Sequence, residues 1–188
     1  MTAENIEFRR ATDIDEVLSL LIDIYATVRA DLLHDPHYSV ERYSERLARH
    51  AAEPGWEAII GFDGDQAVGY AYANTVQPHD RWWRRMSAPL PQSVMERPTI
   101  ALKEGMLLPR WRGRGLARAG HDELLATRPE EQVMLMVNPQ AGGGKVKALY
   151  EGWGYREVSS QQPSMDGPVL TAMLRAIRQP AASADTGH

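Results

Sequence analysis

Arg110-Trp-Arg-Gly-Arg-Gly115 sets three arginines and two glycines within six residues. An apolar stretch, Thr99 to Leu108, and then Pro109 lead into it; Leu116-Ala117 begins a helical pattern behind it. A strand feeding a glycine turn at a helix N-terminus is an anion site, because first-turn amides lack intrahelical partners and the helix dipole favours negative charge there. Gly113 and Gly115 have no Cβ, so the backbone can approach a ligand and take dihedrals closed to other residues. The expected ligand is a pyrophosphate on the amides of Arg112 to Ala117, with the cations of Arg110, Arg112 and Arg114 beside it. Alone, the turn also suits other nucleotides, nucleic acid or free phosphate.

Composition narrows that choice. The chain has 188 residues, 43% of them hydrophobic and 24% charged, which suits one domain with a sizeable core. Its formal charge is −4, so the arginines are a local feature of an acidic chain, which argues against a nucleic-acid partner. With no cysteine, disulfides, thiol catalysis and cysteine–metal sites are excluded. His34, His37, His79 and His121 lack metal-ligand spacing, so no metal is expected. Neither a signal-peptide pattern nor a run long enough to span a membrane is present, and the expected location is cytoplasmic.

The elements that must position the turn can be read in order. Ile6 to Ala11 alternates as a half-buried strand. Thr12 or Asp13 is set to cap a helix whose stripe is Ile14, Val17, Leu18, Leu21, Ile22, Tyr25 and Val28. Ser39 caps a second helix, Val40 to Ala52, and Pro54-Gly55 stops it. Trp56–Phe62 and Gln66–Ala73 flank Asp63-Gly-Asp65 as a hairpin. In its second strand, alternation puts Val68, Tyr70 and Tyr72 on one face and Ala67, Gly69, Ala71 and Ala73 on the other. That small-residue face allows close approach of another backbone or a ligand.

Pro78 to Pro98 holds four prolines and Arg81-Trp-Trp-Arg-Arg85, with room for short helices near Trp82 and Gln92. Either Trp82, Trp83 and Arg84 wall an acceptor pocket for an anionic or aromatic substrate, or the tryptophans cover the core or a subunit interface. Leu116, Gly120 and Leu124 share one face of the helix after the turn. Gln132–Val137 is a strand covered on both faces. The Gly142–Gly144 run leads into a short helix ending at Gly154, and two strands follow near Tyr155–Val158 and Val169–Leu174. Residues 1–178 are expected to form the domain and 179–188 a disordered tail.

This order, β-α-α-β-β-(loop)-β-α-β-α-β-β with Arg110-x-x-Gly113-x-Gly115 directly after a strand, resembles the GNAT N-acetyltransferase superfamily, whose pattern is Arg/Gln-x-x-Gly-x-Gly/Ala. Ala148-Leu-Tyr-Glu-Gly-Trp-Gly-Tyr155 looks like the family's Leu-Tyr-x-x-x-Gly-Phe segment, with Tyr155 in place of Phe. The likeness covers roughly residues 6 to 177. It implies an α/β domain: a mixed sheet of about seven strands, central strands splayed, helices on both faces.

It also implies acetyl transfer from acetyl-CoA to a primary amine by direct attack. The acceptor would be a small molecule, with a protein N-terminus or lysine, or a non-catalytic acyl-CoA-binding module, as alternatives. Homodimers are frequent in the family. The pantetheine arm would pair with the edge of Met106, Leu107 and Leu108, and Gly105 is placed to allow a bulge. Leu116 and Ala117 complete the pyrophosphate cradle. Tyr150 matches the family's general acid, its alternative being a core tyrosine. Glu104 stands where members often place a base, its alternative being a solvated carboxylate. A backbone amide near Leu107 would polarise the thioester. Members often carry Asn seven residues before the motif Tyr; Gly143 is there, and Asn138 is the candidate to replace it.

Overall fold

The alternation of Ile6 to Ala11 does form a strand, β1 (Ile6–Ala11), and the computed structural model describes residues 6–177. The expected tail, 179–188, and residues 1–5 and 178 of the expected domain lie outside the described residues. α1 (Leu18–Val28) begins later than a cap at Asp13 requires, since the Asp13 carboxylate takes the Asp15 amide at 3.0 Å and holds a turn instead. α2 (Val40–Ala51) starts as expected, with the Ser39 hydroxyl accepting from the Arg42 amide at 3.2 Å. Then come β2 (Glu57–Asp63), β3 (Gln66–Val76), α3 (Arg81–Arg84), α4 (Gln92–Met95) and β4 (Thr99–Leu107). α5 (Leu116–Ala126), β5 (Gln132–Val137), α6 (Lys145–Gly152), β6 (Arg156–Gln161) and β7 (Leu170–Ala176) complete the order.

The seven strands form one mixed sheet in the order β1-β2-β3-β4-β5-β7-β6, with helices on both faces. Every pair is antiparallel except β4–β5, which is parallel and short, running from Thr99 opposite Gln132 to Leu102 opposite Leu135. Past that point β4 stays with β3 as far as Leu107, while β5 stays with β7 as far as Val137. The central strands therefore part, leaving the outer edge of β4 open.

α1 and α2 bury Leu21, Tyr25, Tyr43 and Leu47 against Tyr70, Tyr72 and Met106. Behind the sheet, Leu124 and Leu125 of α5 pack on Ile59, Ile100, Leu102 and Leu135. Gly120 lets that helix sit close, since a Cβ there would stand 3.3 Å from the Phe8 ring. No helix among the described residues is long and apolar enough to cross a membrane.

Two bulges revise the alternation. Gly61 faces Gly69 and Phe62 faces Ala67, so Val68 is the extra residue; it packs with Trp111 and Leu116, apart from Tyr70 and Tyr72. Tyr72 faces Glu104 and Ala73 faces Leu102, so the bulge in β4 is at Lys103, two residues before Gly105. The close approach expected of the small face of β3 occurs at Gly69, where a Cβ would stand 2.5 Å from the Met106 carbonyl oxygen.

Candidate active site

The turn after β4 opens with a single 3₁₀ turn, Pro109–Trp111, anchored by the buried indole of Trp111. Gly113 and Gly115 have φ of 74° and 78°, and a Cβ at either meets nothing within 4 Å. Their dihedrals call for glycine, and the space beside them is open. Gly115 caps α5 without a side-chain hydrogen bond, so the amides of the first turn remain available. The side chain of Leu116 is buried with Val68 and Trp111, which fixes the direction of the helix. Arg110 and Arg114 lie over the Trp111 ring at 5.5 and 5.0 Å, and Arg110 also donates to the Gln66 side chain. The Arg112 Nε donates to the Leu107 carbonyl at 3.3 Å. Ala117 occupies the first turn of α5.

Strand alternation decides which backbone groups face the open edge. The Leu108 amide donates to the Val68 carbonyl at 2.9 Å, toward β3. Leu107 is one residue earlier, so its amide and carbonyl turn the other way, into the parting of β4 and β5. The side chain of Met106 is buried under α1 and α2.

Glu104 follows the Lys103 bulge and is held opposite Tyr72. Its side chain is 17% exposed, and its carboxylate lies 3.5 Å from Arg46 Nη2 of α2. Burial raises its pKa, and the attraction of Arg46 and Arg29 offsets this only in part. Tyrosines ring it. Tyr25 and Tyr43 stack at 3.8 Å, the Tyr43 and Tyr70 hydroxyls are 2.6 Å apart, and the Tyr72 hydroxyl lies 3.0 Å from His50 Nδ1. Burial pushes all four phenols up, so they stay neutral at pH 7. Burial, with Lys103 and two arginines nearby, pulls His50 down to about 3, so it too is neutral.

Tyr150 reaches the same region from α6. Its ring packs edge-on against Trp153 and Tyr155 at 5.2 and 5.5 Å. Burial pushes its phenol up to about 12, and the charge of Glu104 adds to this. Tyr150 thus lies within the field of Glu104 across the parted strands, as well as packing in the core.

Other expected residues lie elsewhere. Trp83 is a core residue whose indole donates to the Gln77 carbonyl at 3.1 Å. Arg84 is exposed on α3. Trp82 comes nearest, with Lys103 over its ring at 4.6 Å and its indole donating to Met134 Sδ. Asn138 accepts the Gln140 amide at 2.9 Å, a turn at the end of β5, and Gly143 has a φ of 65°. Arg29 and Arg46 were missed in sequence, although an arginine between Tyr43 and Leu47 on the apolar side of α2 was a readable signal. Among the described residues no cluster of three or more His, Asp or Glu side chains could hold a metal.

No protein-family profile and no curated protein matches the chain in sequence. Solved structures do match in fold. An acetyltransferase of Thermus thermophilus superposes with a TM-score of 0.64 at 19% identity, over 94% of this chain and 100% of that one. The ribosomal-protein-S18-alanine N-acetyltransferase of Escherichia coli gives 0.62 at 14% identity, over 95% and 97%. A Salmonella typhimurium protein described as an acetyltransferase, solved with its cofactor acetyl-CoA, gives 0.59 at 15%, over 95% and 97%. The chain has the GNAT acetyltransferase fold.

Proposed function

We propose that this chain, built on the GNAT fold, is an N-acetyltransferase that moves an acetyl group from acetyl-CoA to the primary amine of a small molecule. The observation that carries the proposal is the parting of β4 from β5 beside a glycine turn opening α5, with Glu104 and Tyr150 on either side of the gap. Such a gap fits an acyl-CoA. The Arg112 amide donates to the Pro109 carbonyl at 3.2 Å, so the amides from Gly113 to Ala117 are the ones that suit its pyrophosphate, with the side chains of Arg110, Arg112 and Arg114 alongside. The open edge of Met106 to Leu108 suits its peptide-like arm.

Direct attack needs no covalent enzyme intermediate. The neutral amine nitrogen forms the new C–N bond as the thioester C–S bond breaks, giving an amide and free CoA thiol. The Leu107 amide faces the gap, where it can stabilise the oxyanion. Glu104 is the base: its burial-raised pKa makes it a better proton acceptor than a solvated carboxylate. Tyr150, with a pKa of about 12 against about 8.5 for a thiol, keeps its own proton and donates a hydrogen bond to the departing sulfur. Solvent then protonates the thiolate. The recessed position of Glu104 favours a small acceptor over a protein surface.

The test is purified protein with acetyl-CoA and a panel of amines, read by thiol release, beside calorimetry with CoA. Binding together with amine-dependent release supports the enzyme. Binding without release from any amine would make the domain a CoA-binding module.

A further inference from the structure

Glu104 lies among more positive charge than it can balance. Arg46 is its ion-pair partner, and Arg29 adds its field from the end of α1. Arg29 Nε is buried without a hydrogen-bond partner, and Arg29 makes no ion pair with a described residue. Of the other charges nearby, Lys103 pairs with Glu53 at 2.9 Å and Arg42 with Asp166 at 3.1 Å, while Arg49 beside His50 and Asp35 on the cavity wall are exposed to solvent. His50 and the four tyrosines are neutral. Two arginines therefore act on one carboxylate, Arg46 by contact and Arg29 through its field. A simple ammonium acceptor would raise this local charge from +1 to +2 in a site shielded from water, where like charges repel strongly. An acceptor bringing its own anion would leave it at +1 and supply the missing partner.

Resting on the acetyltransferase reading, we infer that the acceptor is an aminocarboxylate, a free amino acid or close analogue, with its ammonium on Glu104 and its carboxylate on Arg29 and Arg46. The spacing agrees. Arg46 Nη2 and the Glu104 carboxylate are 3.5 Å apart, so one ligand meeting both must carry its nitrogen and its anion a few bonds apart, as an α-amino acid does. Planar guanidinium groups suit carboxylate oxygens. A place for the remainder of the molecule lies beside them. Arg29 covers the Tyr38 ring at 5.4 Å, and Tyr38 lines a cavity of about 290 Å³ between the α1–α2 connection and the β6–β7 loop. His37, on the same wall, has a buried Nδ1 without a partner, a second polar atom available to a ligand. The Trp82-to-Arg84 segment, where the sequence suggests an anionic acceptor, is not needed for this.

The experiment compares amino acids with the amines left when their carboxylate is removed, for example phenylalanine with phenethylamine and methionine with 3-(methylthio)propylamine. Wild-type kcat/KM should favour the acid of each pair by tenfold or more, and Arg29→Gln should reduce that ratio at least tenfold. A binding arm needs no turnover: in saturating CoA, the preferred amino acid should raise the wild-type Tm and leave that of Arg29→Gln in place. Equal or better use of the decarboxylated amines, or an equal loss for both members of a pair in Arg29→Gln, overturns the inference while leaving acetyl transfer standing. Thiol release from no amine, with the amino acid still raising Tm, removes the transfer reading and keeps the aminocarboxylate site.

Discussion

Replacing Gly69 by alanine tests the geometry of the open edge without any knowledge of the acceptor. The new Cβ would stand 2.5 Å from the Met106 carbonyl oxygen, 2.9 Å from Leu107 Cδ1 and 3.1 Å from Leu107 Cα. Ordinary contacts of carbon lie near 3.5–4.0 Å, so the two backbones must separate by about 1 Å. Two of the three atoms are backbone, so no rotamer change relieves the clash. Overpacking costs about 1–3 kcal/mol, and this case belongs at about 2–3. The loss of unfolded-chain freedom on Gly→Ala opposes it with only about 0.4–1 kcal/mol, so the clash wins. At roughly 2–4 °C per kcal/mol for a chain of this size, Tm should fall by about 2–10 °C. Gly105, which pairs with Ala71 two rungs away, is the control: a Cβ there meets nothing within 4 Å. Gly105→Ala should leave Tm level or slightly raised. Differential scanning fluorimetry reads both. CoA affinity by calorimetry should fall in Gly69→Ala, because the edge that moves is the one assigned to the pantetheine arm. A Gly69→Ala protein as stable as wild type would refute the close β3–β4 approach and the argument built on it.

Gly113→Asp and Gly115→Asp force an L side chain into a left-handed dihedral and set a carboxylate beside the phosphates, so calorimetry should detect no CoA binding; near-normal affinity would remove the turn from the site. Tyr150→Phe, which removes the hydrogen-bond donor to the departing sulfur, should lower kcat by roughly 10²-fold with CoA affinity nearly intact, and an unchanged kcat would return Tyr150 to a packing role alone. Glu104→Gln should cut kcat/KM by about 10²-fold or more and also raise Tm near neutral pH. The sign follows from linkage: the folded-state pKa lies above the unfolded one, so the stability contributed by the group is complete below the unfolded value and is lost as pH rises through the folded value. The Tm gap between variant and wild type should therefore widen from about pH 4 to pH 8, and a gap that narrows would contradict the desolvation of Glu104.

What could be read in sequence was whatever depends on short-range chemistry. The Ser39 cap, the glycine turn at Gly113 and Gly115, and the apolar run of β5 each carry their cause within a few residues. Positions set by pairing across strands could not be read. Nothing in Gln66–Val76 marks Val68 as an extra residue, because the bulge is defined only against Gly61 and Phe62 of β2. The same holds for Lys103, and its bulge decides where Glu104 points. Arg29 and Arg46 gain their significance from meeting Glu104, 75 and 58 positions away in sequence. For Trp83 the sequence left two readings open, a pocket wall or a cover for the core, and packing with Val76, Met86 and Leu90 selects the second.

The short parallel joint between β4 and β5 also bears on how the chain reaches this state. β1 to β4 pair in sequence order as an antiparallel meander, while β5, β6 and β7 form their own antiparallel group. Each group closes largely through neighbouring segments, the fast class of contact. Only four rungs in the sheet, Thr99–Gln132 to Leu102–Leu135, join the two, and their closure must wait for the connection through α5. Glu104 belongs to the first group, and Tyr150 lies between strands of the second. Docking of the two halves is therefore the event that brings Glu104 and Tyr150 to one gap, and a chain halted just before it would hold nearly all its secondary structure without the proposed catalytic pair.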